Sequence, residues 1–205
     1  MRGQRATPSA TTLGRGMGAL LLAAAAGVAA AFPGGFELHR TAVEHGEVWR
    51  LWTGHLVHGS TAHFGYDVGA AVLLWVAFGA PRFWLWMAPL VSLVLLGVLP
   101  GLERYYGMSA ILHAWVVIVA LQVAAASQGA RRLGAVAVAG GVLAKSATET
   151  WLGTSIFTSE IDLGGPVLHA SHLVGATLGF VSWTVLWYAG PWHRPAPEAL
   201  MCGDG

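Results

Sequence analysis

The residues of this sequence that could do chemistry are a serine, an aspartate and four histidines lying within or beside long apolar stretches. They are His63, Asp67, Ser109, His113, His169 and His172. A serine hydroxyl becomes a good nucleophile when a base takes its proton, and histidine is the usual base because its pKa lies near neutrality. Ser109 and His172 supply such a pair from two separate apolar segments.

Residues near Ser109 could stabilise the negative charge that develops when a serine attacks a carbonyl. Gly107 allows a tight entry into a helix that begins close to Ser109. The free amides at a helix start are ready donors for an oxyanion, and His63 could be a further donor.

The segment that holds His172 also carries two glycines at helical spacing, Gly175 and Gly179. On a helix both lie on the side of the histidine, and they let a neighbouring helix come close. A base and a nucleophile on different helices need such an approach. The alternative is that the histidines and Asp67 are packing residues tied by interhelical hydrogen bonds, and spacing alone does not decide between the two.

The elements that must position these residues are apolar enough to be membrane helices. Of the 205 residues, 55% are hydrophobic and only 10% are charged, whereas a soluble domain has about a quarter charged. A bilayer helix needs about 20 apolar residues. We therefore predict an all-α integral membrane protein, a single domain over 1–205 with six transmembrane helices. Their approximate bounds are 17–32, 63–80, 83–100, 109–127, 132–148 and 168–190.

Charge placement agrees with six alternating spans. One side collects the arginines Arg2, Arg5, Arg15, Arg82, Arg131, Arg132 and Arg194. The other side holds most acids, namely Glu37, Glu44, Glu47, Glu103, Glu160 and Asp162, together with Arg40, Arg50 and Arg104. The positive-inside rule makes the first side cytoplasmic, with both termini on it. Ser109 and His172 then lie near the opposite, outer face.

The remaining segments are predicted to lie outside the bilayer. Residues 33–62 are too polar to span and read as a structured loop in the membrane interface. Residues 149–167 form a flexible outer loop, and 191–205 a cytoplasmic tail. Residues 19–32 could alternatively be the core of a signal peptide that is removed. The net charge of +1 gives no case for nucleic acid binding.

In chain order, these residues resemble the motifs of rhomboid intramembrane serine proteases over roughly 36–180. Residues 47–50, Glu-Val-Trp-Arg, resemble the first-loop motif. The histidines at 55, 58 and 63 with Asp67 resemble the histidine-rich entry into the second helix. Residues 107–110, Gly-Met-Ser-Ala, resemble the Gly-x-Ser-Gly nucleophile motif, and 171–179 resemble the motif of the last helix.

The resemblance implies a serine endopeptidase on a six-helix rhomboid-like bundle. Ser109 and His172 would be the catalytic dyad, and no cofactor or metal would be needed. Oxyanion and supporting roles would fall to His63, Asp67, Gly107 and His113. The structural motif residues would be Glu47, Trp49, Arg50, Gly175 and Gly179.

The sequence around Ser109 is further similar to the rhombosortase subfamily, in which a histidine such as His113 follows the serine by four residues. That likeness implies membrane-anchored protein substrates with a carboxy-terminal Gly-Gly motif, a transmembrane helix and a basic end. It also implies a bacterial inner membrane location, with the active site opening to the periplasm. We prefer His172 over His113 as the base, because the i, i+4 geometry aims a ring poorly at a serine hydroxyl.

Two residues depart from the rhomboid pattern. Ala110 stands where the motif has glycine, and it could narrow the space beside Ser109. Asp67 stands where the motif has asparagine, and a carboxylate would repel an oxyanion. The i, i+4 spacing allows Asp67 to pair with His63 and to favour its charged form as a donor. The other possibility is that this copy is inactive.

Two further functions are therefore kept as alternatives. A rhomboid-like protein could bind membrane helices without cutting them. A metal or haem membrane protein could use the ligands His55, His58, His63, His113, His169 and His172. No His-Glu-x-x-His occurs, and no carboxylate partner for the candidate pairs can be named from the sequence.

Overall fold

The computed structural model describes residues 10–79, 83–157, 163 and 166–189, which are mostly helical. The six long helices are α1 (Ala10–Ala31), α5 (Thr61–Phe78), α6 (Trp84–Val98), α7 (Ser109–Ala125), α8 (Gly129–Leu152) and α9 (His169–Ala189). Short helices α2 (Pro33–Phe36), α3 (Arg40–Glu44) and α4 (Arg50–Thr53) and a 3-10 turn (Gly54–Leu56) lie between α1 and α5. The all-α prediction is confirmed, with the small addition of strands β1 (Leu38–His39) and β2 (Arg104–Tyr105), which pair antiparallel.

Each long helix overlaps one of the six predicted segments, but the first begins at Ala10, seven residues before its predicted start, and the fifth extends further than predicted at both ends. Helix α8 continues to Leu152 and ends at Gly153, whose left-handed φ of 66° suits a glycine. The prediction of an outer loop over 149–167 was therefore wrong for its first four residues, which are helical. The predicted segment ended at 148, before the polar residues Glu149 and Thr150, and for that reason the sequence set the boundary too early.

Two of the described helices are long and apolar enough to cross a membrane, at Gly14–Ala31 and Thr61–Phe78. Helices α6 and α7 are apolar but shorter than 18 residues. A membrane location is weakly supported by these lengths and compositions. The tail 191–205 and the charged residues Arg2, Arg5, Arg82, Glu160, Asp162 and Arg194 lie outside the described residues.

Helix α7 is the central element, and ten of its 17 residues are buried. Ala110, Ala114 and Ile118 pack into one apolar cluster with α6. Leu112 and Trp115, on other sides of α7, pack into a second cluster with α1 and α5. Helices α8 and α9 cover the remaining side of α7. The other long helices therefore hold α7 in place, and Ser109 is its first residue.

The predicted interfacial loop is tied together by Arg50, which is buried. Its Nε donates to the Glu47 carboxylate at 2.7 Å, and its other nitrogens donate to the carbonyls of Gly34 and Glu37 at 3.1 and 2.8 Å. Trp49 beside it is half exposed. The Glu47–Arg50 pair expected from the sequence is present, and Arg50 also orders α2, which the sequence did not indicate.

Candidate active site

Ser109 and His172 meet across the interface of α7 and α9. The Ser109 hydroxyl oxygen lies 3.0 Å from His172 Nε2. Ser109 is at the first position of α7, and His172 is in the first turn of α9. Each side chain therefore lies at the same end of its helix, and this distance allows the hydroxyl to donate its proton to the imidazole.

Two glycines of α9 let the two helices come this close. A Cβ added at Gly175 would overlap the carbonyl oxygen of Ala110. A Cβ added at Gly179 would lie 2.6 Å from the carbonyl oxygen of Ala114. Such distances exclude any larger side chain without movement of a backbone. The methyl group of Ala110 is accommodated in this interface without separating Ser109 from His172.

The second nitrogen of His172 contacts a carboxylate that sequence reasoning missed. Nδ1 lies 3.1 Å from Glu149 Oε2, and Glu149 is only 1% exposed. Lys145 Nζ donates to the same oxygen at 2.7 Å, and the Ile156 amide donates to Oε1 at 2.9 Å. The available signal was the i, i+4 spacing of a lysine and a glutamate at the end of an apolar segment.

The His113 ring contacts the backbone carbonyl of Ser109, whereas a catalytic base must contact the hydroxyl group. Its Nδ1 donates to the backbone carbonyl of Ser109 at 2.7 Å, which leaves Nε2 as an acceptor 3.4 Å from Lys145 Nζ. Its ring stacks on His172, with centroids 4.4 Å apart and an angle of 10° between the planes. The arrangement makes His113 a support for the His172 ring.

Asp67 of α5 holds the backbone immediately before Ser109. Its Oδ2 accepts from the Met108 amide at 2.8 Å. His63 Nε2 lies 3.4 Å and His58 Nε2 3.5 Å from the same oxygen. Asp67 thus lies between two imidazoles and one amide. Its contact with His63 was predicted from the sequence, whereas those with His58 and the Met108 amide were not. Because the Met108 amide donates to Asp67, it is not available to an oxyanion.

Gly107 adopts a left-handed φ of 115°, which only glycine adopts readily. A Cβ there would also lie 3.0 Å from His63 Nε2. The Gly107 carbonyl accepts from the Tyr105 hydroxyl at 3.0 Å and lies 3.2 Å from His55 Nδ1. These contacts fix the turn that leads into α7, and with it the position of the Ser109 side chain.

His55 is fully buried beneath this turn. Its Nε2 lies 3.0 Å from both the Ala88 carbonyl and the Ser92 hydroxyl oxygen. Burial lowers the pKa of His55 to about 4, against the opposing effect of the nearby Ala88 and Gly107 carbonyls, which favour the charged ring. The ring is therefore neutral at physiological pH, and its role in the described structure is to join the interfacial loop, α6 and the turn before Ser109.

A cavity of about 310 Å³ opens beside Ser109 and His172. Aromatic and aliphatic residues form part of its wall, and Arg104, Lys145 and Glu149 add charge. The apolar wall includes Tyr66, Tyr106, Phe157, Leu163, Val167 and Leu168. This volume lies at the lower end of the range of about 300–1,000 Å³ that is usual for ligand sites.

Comparison with models of known protein families, with curated proteins and with solved structures gives no match to this chain. Its function must therefore be argued from the geometry of the site and from the resemblance of its motifs.

Among the described residues, one group could hold a metal ion by proximity. Glu149, His169 and His172 offer ligand atoms that lie within 4.8 Å of one another. The donor set fits a cation poorly, because the Lys145 ammonium already contacts Glu149 Oε2 and the Ile156 amide occupies Oε1. A metal bound by Glu149 and His172 would lie beside the positive charge of Lys145, which repels it. The other histidines that sequence reasoning offered as ligands do not join this group.

Proposed function

We propose that this chain is an intramembrane serine endopeptidase that cleaves membrane-anchored proteins near the outer boundary of the bilayer. The observation that carries the proposal is the 3.0 Å distance between Ser109 Oγ and His172 Nε2, on two helices and beside a cavity. The proposed location is the bacterial inner membrane, with both termini cytoplasmic and the site open to the periplasm.

In the proposed reaction, His172 Nε2 takes the hydroxyl proton while Ser109 Oγ attacks the scissile carbonyl. The resulting oxyanion lies near the start of α7, where backbone amides point out of the helix. His63 on α5 is the candidate side-chain donor. His172 then gives its proton to the leaving amine. Water that enters through the cavity attacks the acyl group as His172 takes a proton from it, and His172 returns that proton to Ser109 Oγ when the carboxylic acid product leaves.

The substrate class rests on the rhombosortase resemblance alone. It would consist of proteins that end in a Gly-Gly motif, a transmembrane helix and a basic tail. The modest volume of the cavity, about 310 Å³, is compatible with small residues at the cleaved bond. The bilayer itself would present the substrate helix to the site.

Two alternatives are weaker. A helix-binding protein without activity needs no hydrogen bond between a serine and a histidine, and neither Ala110 nor Asp67 pushes Ser109 away from His172. A metal site at Glu149, His169 and His172 has proximity in its favour, but Lys145 opposes a cation there. A chelator distinguishes the metal site from the proposed protease, since a serine protease keeps its activity in EDTA.

The deciding experiment is labelling of purified protein with a fluorophosphonate, together with cleavage of a membrane-anchored test substrate. Wild type should react at Ser109, while Ser109→Ala and His172→Ala should lose both signals and keep their helical content. Ser182→Ala, further along α9, serves as the control and should behave as wild type. Normal labelling of Ser109→Ala, or loss of cleavage in EDTA that zinc restores, would refute the proposal.

His113 provides an internal comparison for the choice of base. His113→Phe keeps a ring that can stack on His172 but removes the bond to the Ser109 carbonyl. We expect it to slow labelling far less than His172→Phe, which removes the base. An equal or larger loss in His113→Phe would transfer the role of base to His113.

A further inference from the structure

Glu149 is the most deeply buried acid among the residues that the structure describes, and the proposed dyad does not use it. It lies on α8, three residues before the helix ends, and reaches the interface of α7 and α9. Both of its oxygens accept hydrogen bonds, Oε1 from the Ile156 amide and Oε2 from Lys145. Oε2 also lies 3.1 Å from His172 Nδ1. A buried acid is held in this way only when its contacts compensate for the loss of hydration.

We propose that Glu149 is a positioning residue that completes a Ser109–His172–Glu149 triad. The inference rests on the proposed function and deepens it, because it names the group that prepares the base. With Nδ1–H donating to Glu149 Oε2, the neutral imidazole has its lone pair on Nε2, where the Ser109 hydroxyl donates. The carboxylate thereby selects the one tautomer that can accept the serine proton.

The same contact stabilises the charge that forms during the reaction. When the Ser109 proton moves to Nε2, His172 carries a positive charge until it gives that proton to the leaving amine. Glu149 remains a carboxylate throughout and faces the imidazolium. No proton passes to Glu149, so one proton is taken from the serine and the same proton is delivered to the amine.

Of the other charged and titratable groups around His172, some oppose and some favour a positive charge on its ring. His113 of α7 stacks on the His172 ring, and Lys145 of α8 forms an ion pair with Glu149. His169, on α9 itself, contacts the His172 ring edge to face. A lysine beside the site opposes an imidazolium, but its ion pair with Glu149 keeps that carboxylate ionised and turned towards His172. The geometry thus gives Lys145 an orienting role through Glu149.

Glu149 has a competing structural role that any test must separate. Through the Ile156 amide it also fastens the segment that follows α8. A merely structural Glu149 would affect thermal stability and leave the pH dependence of the site unchanged. A positioning Glu149 would change the rate at which Ser109 reacts and the pH at which His172 becomes protonated.

The test compares Glu149→Gln and Glu149→Asp with wild type by the rate of fluorophosphonate labelling between pH 5 and 9. Wild type and Ser109→Ala are measured first, because they alone decide the proposed function. Glutamine has one acceptor oxygen for the donors that two oxygens now serve, and it has no charge. We expect Glu149→Gln to label at least about 100-fold more slowly, as for other triads that lose their acid, with half-maximal rate on the acid limb moved to lower pH. Glu149→Asp should recover part of the rate.

A measurement on the wild-type protein covers the case in which the variants do not fold. In ¹⁵N-histidine NMR spectra, neutral His172 should carry its proton on Nδ1, with the signal assigned by its loss in His172→Ala. A proton on Nε2 would overturn the triad. So would a Glu149→Gln protein that labels within about threefold of wild type with the same pH profile. In that second case the Ser109–His172 dyad would stand, whereas a proton on Nε2 would also remove the acceptor that the dyad needs.

Discussion

Gly175 of α9 packs directly on the backbone carbonyl of Ala110 in α7, one residue after Ser109. The two helices touch backbone to backbone at this point, and the contact sets how far His172 is from Ser109. Because His172 lies three residues before Gly175 on the same helix face, any separation of the helices there is transmitted to the hydrogen bond between serine and histidine.

Gly175→Ala should therefore reduce both stability and reactivity. The added methyl must push α9 away from α7, and overpacking of this kind typically destabilises by about 1–3 kcal/mol. We expect a lower melting temperature in detergent and slower fluorophosphonate labelling of Ser109. Gly141→Ala in α8 is the matched control, because nothing lies within 4 Å of the added Cβ. Labelling of Gly175→Ala at the wild-type rate would show that the helix contact does not position the dyad.

Arg50→Ala should destabilise the protein more than it changes the chemistry. Arg50 donates to the Glu47 carboxylate and to the carbonyls of Gly34 and Glu37. Its loss leaves partly buried acceptors without donors, at about 1–3 kcal/mol for each group that water does not reach. The exposed Arg131→Ala is the control and should leave the melting temperature unchanged. If Arg50→Ala melts as wild type does but no longer labels, Arg50 belongs to the site instead.

Apolar segments and motif spacing predicted much of this arrangement. The six long helices follow the apolar segments, and the i, i+3 spacing of Glu47 and Arg50 predicted their pairing. The glycine spacing in α9 predicted a close helix contact because it repeats on one helix face. These signals are local, and local spacing determines which residues share a face or a turn.

The parts that the sequence did not reveal are long-range contacts of polar residues. Glu149 was assigned to a loop because the apolar segment ends before it, although the helix continues and brings it to His172. Arg40 donates to three carbonyls near the end of α6, those of Leu96, Leu99 and Leu102. Nothing in the spacing of Arg40 distinguishes it from a loop arginine exposed to solvent.

Stability should fall as the pH is lowered, because of His55. Burial lowers the pKa of His55 to about 4 from 6.5, so the unfolded chain binds a proton that the folded protein resists. The stabilisation is fully present above pH 6.5 and is lost progressively as the pH falls towards 4. The shift corresponds to about 3 kcal/mol. Unfolding curves between pH 4 and 8 measure it.

A variant isolates the contribution of His55 to this pH dependence. His55→Gln should be less stable at pH 8, but its stability should decline less than that of wild type between pH 6.5 and 4, by up to about 3 kcal/mol. His45→Gln, at an exposed position, should keep the decline. If His55→Gln retains the wild-type slope, the pH dependence arises from other groups.

Asp67 is the residue at which this chain departs most from the rhomboid motif, and its contacts indicate what a replacement must do. Oδ2 accepts from the Met108 amide, which lies immediately before Ser109, and it faces His63 and His58. Asparagine can accept from the amide with its own oxygen, although it lacks the negative charge of Asp67. Leucine can do neither and would leave the buried Met108 amide without an acceptor.

We therefore expect Asp67→Asn to keep labelling and cleavage within about tenfold of wild type and Asp67→Leu to lose most of both. Loss of one oxyanion donor typically lowers turnover about 100- to 1000-fold, and in Asp67→Leu both the amide position and the orientation of His63 are disturbed.

His63→Ala separates the two effects, because it removes the donor but leaves Asp67 hydrogen-bonded to the Met108 amide. If His63→Ala is as slow as Asp67→Leu, Asp67 acts mainly through His63. If it stays near wild type while Asp67→Leu is inactive, Asp67 acts by fixing the backbone before Ser109. Wild-type rates in Asp67→Leu across the pH range would remove Asp67 from the site altogether.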